Sequence, residues 1–190
     1  IAYGLAVDPA SPAATAASRT RRVRIGLAAA ILPFHHPLRL AEQMALIDII
    51  SDGRLDVGVR RGNRPPEFTG YNVPLEENRE RFDETVEVLQ RAWTEDRFTH
   101  RGRFYTIPEA RVIPKPLQQP HPPLFQVCVS KDGIEGCALR GWPMLNSVLT
   151  GPIDQLVNRR ESYLTALRKH GRTETEIGAL LLYWGVSRQI

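Results

Sequence analysis

Apolar positions recur along the chain in two alternating rhythms. From Val23 to Leu32, eight of ten residues are apolar other than glycine, and Pro33 stops the run. A near-continuous apolar stretch of this length predicts a strand buried on both faces, as a parallel sheet requires. Leu55, Val57 and Val59 alternate with Asp56 and Gly58 and predict a second, shorter strand. Between them, Pro37 to Ile50 has helical spacing, with Leu38, Ala41, Ala45 and Ile49 on one face and Leu40, Met44 and Ile47 on another. A helix apolar over most of its circumference needs two partners, its own sheet and a second packing surface, which a second subunit would provide. Ser51-Asp52-Gly53 ends it.

The rhythm continues. Ala10 to Arg19 predicts a short helix entered through Pro12. Arg60 to Pro74 is rich in Gly, Asn and Pro and predicts a loop. Glu76 to Trp93 carries Phe82, Val86, Leu89 and Trp93 along one helical face, with Glu87 and Arg91 paired outside. Phe98 to Pro123 breaks the pattern. A hairpin is expected there, formed by 98–100 and 103–105, followed by a stiff connector containing Pro114, Pro116, Pro120, Pro122 and Pro123. Strands are then expected at Leu124–Val129, Pro143–Val148 and Ile177–Val186, with helices at Asp132–Arg140 and from Ile153 to about Lys169.

Strand and helix alternate about five times, which predicts a parallel sheet with right-handed crossovers. Two architectures satisfy this order, an open doubly wound sheet and a closed eight-stranded barrel. The nearest glycine-rich turn, Gly58 to Gly62, lacks Gly-x-Gly spacing, and no Walker loop is present. The balance falls to a TIM-type (β/α)8 barrel, here incomplete, with about five of eight strand–helix units. The whole of 1–190 is expected to be one partial barrel domain carrying an insertion at about 98–123.

Composition narrows the classes. In 190 residues, 42% hydrophobic content and a net charge of +4 exclude a disordered chain. That charge is also too small to argue for nucleic acid. No apolar run reaches the ~20 residues of a membrane span. Two cysteines, Cys128 and Cys137, build no disulfide framework, so a reducing cytoplasm is the expected location. The chain starts at Ile1 and its last apolar run meets the terminus, as expected of a piece of a longer protein.

Ordered motifs are more informative. They are Leu32-Pro33-Phe34-His35-His36-Pro37, Ala41-Glu42, Asp48, Ser51-Asp52-Gly53-Arg54, and Gly58-Val59-Arg60-Arg61-Gly62. Further along stand Glu67-Phe68, Asn78-Arg79, Trp93, Gly102-Arg103-Phe104-Tyr105, Pro114-Lys115-Pro116 and Pro122-Pro123-Leu124. In this order they resemble the bacterial luciferase-like flavin monooxygenases, from about Asp8 to Asn146 and less clearly beyond. The resemblance implies a (β/α)8 barrel binding reduced FMN at its C-terminal mouth, with molecular oxygen used to oxidise a small organic substrate. It also implies a flavin reductase as supplier, while the open edges of a partial barrel and the apolar surface of helix 37–50 lead to an expected homodimer through that helix. A sister branch transfers hydride with a reduced deazaflavin. A truncated or partner subunit without activity is a third reading, supported by Arg60 and Val129.

The resemblance assigns cofactor-binding positions, each with a plainer alternative. Ala28-Ala29 falls where the family has a non-proline cis peptide against the flavin ring; otherwise it is buried strand. Arg61 can pair with the phosphate through two parallel hydrogen bonds, or be a solvated loop residue. Arg79 opens a helix, where a cation opposes the dipole, so it asks for an anion: a phosphate, or Glu76, Glu77 or Asp83. Ser130, Lys131 and Gly133 begin a helix where the family holds phosphate, while Ser130 or Asp132 could simply cap it. Where a common family form has Glu-Ser and a downstream Thr, this chain has Val129-Ser130 and Gly133.

Arg60 stands where the family has Gly, Ala or Cys facing the ring. It either changes how flavin binds, turns outward, or impairs the chemistry. His35 and His36 mark a helix entry, no metal site is indicated, and the basic run Arg19 to Arg24 reads as solvated surface. The family's catalytic His would precede Ile1, so no acid or base is named.

Overall fold

A computed structural model describes residues 8–147, 151–173 and 181–183. The chain divides into two compact units, Ile1–Pro123 and Leu124–Ile190.

The first unit is built on a strand–helix–strand turn. Strands β1 (Ile25–Ile31) and β2 (Leu55–Arg60) are parallel, in register from Ile25 opposite Leu55 to Ile31 opposite Arg60. Helix α2 (Pro37–Ile50) joins them, after a 3-10 turn at Leu32–Phe34. Its bounds are those the sequence predicts, because Pro37 supplies the fixed φ of a first turn and Ser51-Asp52-Gly53 supplies the stop. Asp52 and Gly53 both take positive φ there, 58° and 69°.

Helix α1 (Ala10–Arg19) is likewise as expected, though its start is organised by Asp8, whose Oδ1 accepts from the N–H of Ala10 and Ser11. Helix α4 (Asn78–Thr94) buries Phe82, Val86, Leu89 and Trp93 as its spacing predicts. It packs on α2, where the Trp93 indole donates to the Ala41 carbonyl at 3.0 Å. With α1 and α4 on it, α2 leaves only Leu46 and Ile50 exposed among its large apolar residues. Most of its apolar surface is therefore covered from within the unit.

Three local readings change. Residues 65–70, read as loop, form helix α3 (Pro65–Gly70), entered through two prolines and anchored by the buried Phe68. The hairpin strands are β3 (Phe98–Arg101) and β4 (Thr106–Ala110), so the second strand starts later than expected. The cause is Glu84: its carboxylate accepts from the N–H of Phe104 and Tyr105, which are thereby lost to strand pairing. Arg91 pairs with Glu95 rather than Glu87. Arg24 stays exposed, as the solvated reading of the basic run has it, but it also grips Asp56 through two hydrogen bonds, at 2.8 and 2.6 Å.

The proline connector contains cis peptides at Ile113-Pro114 and Gln119-Pro120. It is pinned by Lys115, which donates to the carbonyls of Ala92 and Glu95 at the end of α4, and by Gln118, which bonds Asp48. Its last residue reaches β2, where the Val57 N–H donates to the Pro123 carbonyl.

In the second unit, β5 (Leu124–Val127), β6 (Met144–Ser147) and β7 (Leu181–Tyr183) are parallel, with Gln126 opposite Met144 and Leu145 opposite Leu181. Helix α5 (Lys131–Arg140) ends at Gly141, whose φ of +70° closes the last turn. Helix α6 (Ile153–Lys169) follows β6 and packs on α5. The Tyr163 hydroxyl donates to the Trp142 carbonyl at 2.9 Å. Most of the strand expected at Ile177–Val186, and Val148 of the strand before it, lie outside the described residues.

Cys128 and Cys137 are buried free thiols. Among the described residues no helix is long and apolar enough to cross a membrane, and no three His, Cys, Asp or Glu side chains cluster for a metal.

Candidate functional site

Barrel-type sheets present their chemistry at the carboxyl ends of the strands. In the first unit Arg60 ends β2 and Arg61 follows it, while Ala28 and Ala29 lie in the middle of β1. The Ala28-Ala29 peptide is cis, and the β1–β2 register shifts at the same point, between Leu27 and Ala30.

The alternation of β2 sorts its side chains. Leu55, Val57 and Val59 are fully buried on one face of the strand, with α2 packed against it. Asp56 and Arg60, half-buried, fall on the opposite face. Arg60 therefore does not turn toward the helix layer. Its guanidinium donates to the Asn63 side chain at 3.1 Å.

Just beyond, Gly62 adopts a φ of +76°. A Cβ there would sit 2.8 Å from Ile31 Cγ2 and 3.0 Å from the Phe68 ring, so the turn demands glycine sterically as well as conformationally. Asn78, the first residue of α4, donates from its side chain to the Gly62 carbonyl at 3.4 Å. That bond ties the Arg61 loop to the helix start bearing Arg79. Arg61 is half-buried and has a partner of its own. Arg79 is exposed, with the Asp83 carboxylate 4.0 Å away one turn along. Asn78 was visible in the sequence only as part of a motif; its capping of the loop was not.

The same rim has an aromatic edge. Phe34 stacks on Tyr71 with centroids 4.5 Å apart and meets Phe68 edge-on at 4.8 Å. Behind it, the Tyr105 hydroxyl donates to the His35 carbonyl at 3.3 Å, and the Tyr105 and His36 rings meet edge-to-face. His36 precedes the first residue of α2, as the helix-entry reading has it. Burial holds the His35 imidazole below its ordinary pKa, with Asp8 pulling weakly the other way.

In the second unit, Ser130 caps α5, its hydroxyl accepting from the Gly133 N–H at 3.3 Å. The capping reading is thus realised, and by Ser130. Lys131 and Asp132 are exposed in the first turn, while Gly133 is buried. The donor chemistry suits an anion such as a phosphate: an exposed ammonium and a helix N-terminus here, and Arg61 with Arg79 in the first unit. The Asp132 carboxylate opposes it locally.

Lower in α5, the hydrogen bond with the neighbouring Cys128, and then burial, push the Cys137 thiol up, which makes it an inert core residue; it donates to the Trp142 carbonyl.

Comparison with known proteins bears on the whole arrangement. A model of the luciferase-like monooxygenase family matches residues 1–183. The oxygenase component of a flavin-dependent trigonelline monooxygenase from Acinetobacter baylyi is 34% identical over 125 residues, 65% of this chain and 34% of the relative. An FMNH(2)-dependent dimethylsulfone monooxygenase from Pseudomonas putida is 38% identical over 107 residues, 54% of this chain and 30% of the relative. The chain thus spans about a third of the length of these two curated relatives.

Among solved structures, the monooxygenase RslO1 from Streptomyces bottropensis superimposes with a TM-score of 0.79 at 35% identity, covering 87% of this chain and 51% of that one. An F420-dependent secondary alcohol dehydrogenase shares the fold at 20% identity and a TM-score of 0.74, over 88% of this chain and 51% of its own. From the strand–helix order of both units and a family match that covers nearly the whole sequence, the chain belongs to the luciferase-like monooxygenases and carries part of their TIM-type (β/α)8 barrel.

Proposed function

We propose that the protein carrying this chain is a flavin-dependent monooxygenase that uses reduced FMN and molecular oxygen to oxidise a small organic substrate. The observation that carries the reading is the Asn78–Gly62 bond, which joins the two arginine-bearing segments, Arg61 and Arg79, at the carboxyl end of β2. Two relatives at 34% and 38% identity with flavin-dependent names support it.

Reduced flavin, when bound, supplies the electrons that activate oxygen. The chain's own residues have simpler tasks. Arg61 and Arg79 in the first unit would offer a phosphate charge-assisted hydrogen bonds, and in the second unit Ser130, Lys131 and the amides around Gly133 offer donors of the same kind. Ala28 and Ala29, both small, leave room for a flat ring beside β1. Phe34 and Tyr71 would give a bound ring an apolar wall on that rim. A flavin reductase is the partner this reading implies, because the reduced cofactor must be supplied.

The test is anaerobic titration of reduced FMN into the intact protein, followed by flavin fluorescence. Saturable binding that weakens in the Arg61→Ala variant is expected. Absence of binding by the intact protein defeats the proposal.

A further inference from the structure

We infer that Arg60 is the recognition residue for an anionic group on the substrate, and that the substrate class is an organic carboxylate with an apolar body. The inference rests on the monooxygenase reading for the word substrate, but its geometry is independent of the flavin.

Four observations lead to it. Arg60 is the last residue of β2 and lies on the face turned away from the helices. It is half-buried, yet its hydrogen-bond partner among the described residues is the neutral Asn63 side chain. A guanidinium offers five donors in a planar fork, and partial burial of its charge is unfavourable until an anion meets it. The carboxylate on the same face four residues earlier, Asp56, is already taken by the bidentate Arg24. No acidic side chain of the described residues forms an ion pair with Arg60, so an external carboxylate would complete it without displacing one.

The surroundings fix the rest of the ligand. Ile31 stands directly across the strand pair from Arg60. Gly62 presses its backbone against Ile31 and Phe68, and Phe68 carries the Phe34–Tyr71 stack. Tyr71 stays 49% exposed despite that stack, so apolar surface is left open on the rim. With Arg60 in no ion pair among the described residues, this favours an amphiphilic ligand, its charged end at Arg60 and its body along the apolar rim.

Benzoate and benzamide share shape and differ in charge, which makes them suitable probes. Binding to the full chain is followed by ligand-detected NMR, with and without FMN, for the native protein, Arg60→Gln, Arg60→Lys and a surface control, Arg39→Gln. Benzoate is expected to bind about tenfold more tightly than benzamide. Arg60→Gln removes that preference, Arg60→Lys keeps part of it, and Arg39→Gln leaves it intact. Equal binding of the two probes, binding of neither, or a preference that survives Arg60→Gln overturns the inference. FMN fluorescence on the same samples separates the two readings. If FMN binds but the benzoate preference is missing, only the inference falls. If the preference is present and lost in Arg60→Gln while FMN does not bind, only the flavin reading falls.

Discussion

The carboxylate of Asp48, wholly buried in α2, accepts from both the backbone N–H and the side-chain amide of Gln118, 70 residues further along, at 2.9 and 2.7 Å. The same amide nitrogen also donates to the Leu55 carbonyl, and Arg24 donates to the Gln118 Oε1. One glutamine thus fastens the proline connector to α2 and β2. Asp48→Ala leaves two donors without their acceptor in the interior. A loss of about 2–4 kcal/mol is expected, read as a lower urea midpoint. Gln118→Ala should cost a similar amount, and the double variant much less than the sum, because both remove one shared interaction.

Gly102 is needed for space. A Cβ there would land on the Glu84 carboxylate and lie 2.6 Å from the His100 Nε2. Glu84 cannot yield without releasing the amides of Phe104 and Tyr105. Gly102→Ala is therefore expected to loosen the β3–β4 hairpin at a cost of about 2 kcal/mol. Hydrogen exchange reads this directly: the Phe104 and Tyr105 amides should lose protection in Gly102→Ala and in Glu84→Ala, while those of α1 keep it. Unchanged protection at both amides would refute the role given to Glu84.

These two cases show what the sequence discloses. Helices α1 and α2 are legible to the residue, because proline at or just inside a start and Ser-Asp-Gly after an end are local signals. Helix α3 was hidden by the same residues that start it. Pro65 and Pro66, amid glycine and asparagine, read as loop, although proline is at home in a first turn. The role of Asp48 is not legible in the sequence, since its partner lies 70 residues away and leaves no periodic trace.

The Ser51–Arg54 motif was recognisable without its reason. Ser51 Oγ accepts from the Arg54 N–H, and the Arg54 guanidinium donates to the carbonyls of Ala17 and Thr20 at the end of α1 and of Val23 before β1. A strong family signal there reflects architecture. At the candidate site, the residue types were legible and their support was not: Asn78 on Gly62, and Tyr105 on His35, are contacts between segments that no spacing rule connects.

His35 makes stability depend on pH. Burial lowers its pKa below the ordinary 6.5, so the unfolded chain takes up this proton at a higher pH than the folded one. Where the unfolded state binds more protons, stability rises with pH. The contribution of His35 is therefore complete above pH 6.5 and is lost as pH falls from there through the depressed folded value. Asp8, held low by its bonds to Ser11, contributes separately and is lost only below its own ordinary 3.8. Urea midpoints measured between pH 8 and 5 should decline for the native chain. The decline should be shallower for His35→Gln. Parallel curves would remove His35 from the account.

Ser130 allows capping and cofactor binding to be separated. Its hydroxyl satisfies the Gly133 N–H, so Ser130→Ala is expected to cost about 1 kcal/mol of stability, whereas glycine at an N-cap costs only about a few tenths. If the hydroxyl serves the helix alone, Ser130→Gly should bind reduced FMN as the native chain does, and Ser130→Ala should bind more weakly only to the extent that α5 frays. If it also meets the phosphate, both variants lose affinity alike, by about tenfold for one charge-assisted hydrogen bond, while their unfolding midpoints differ. The second pattern is the one expected under the proposed function. A Ser130→Gly variant with native affinity would return the residue to the plain role of a cap.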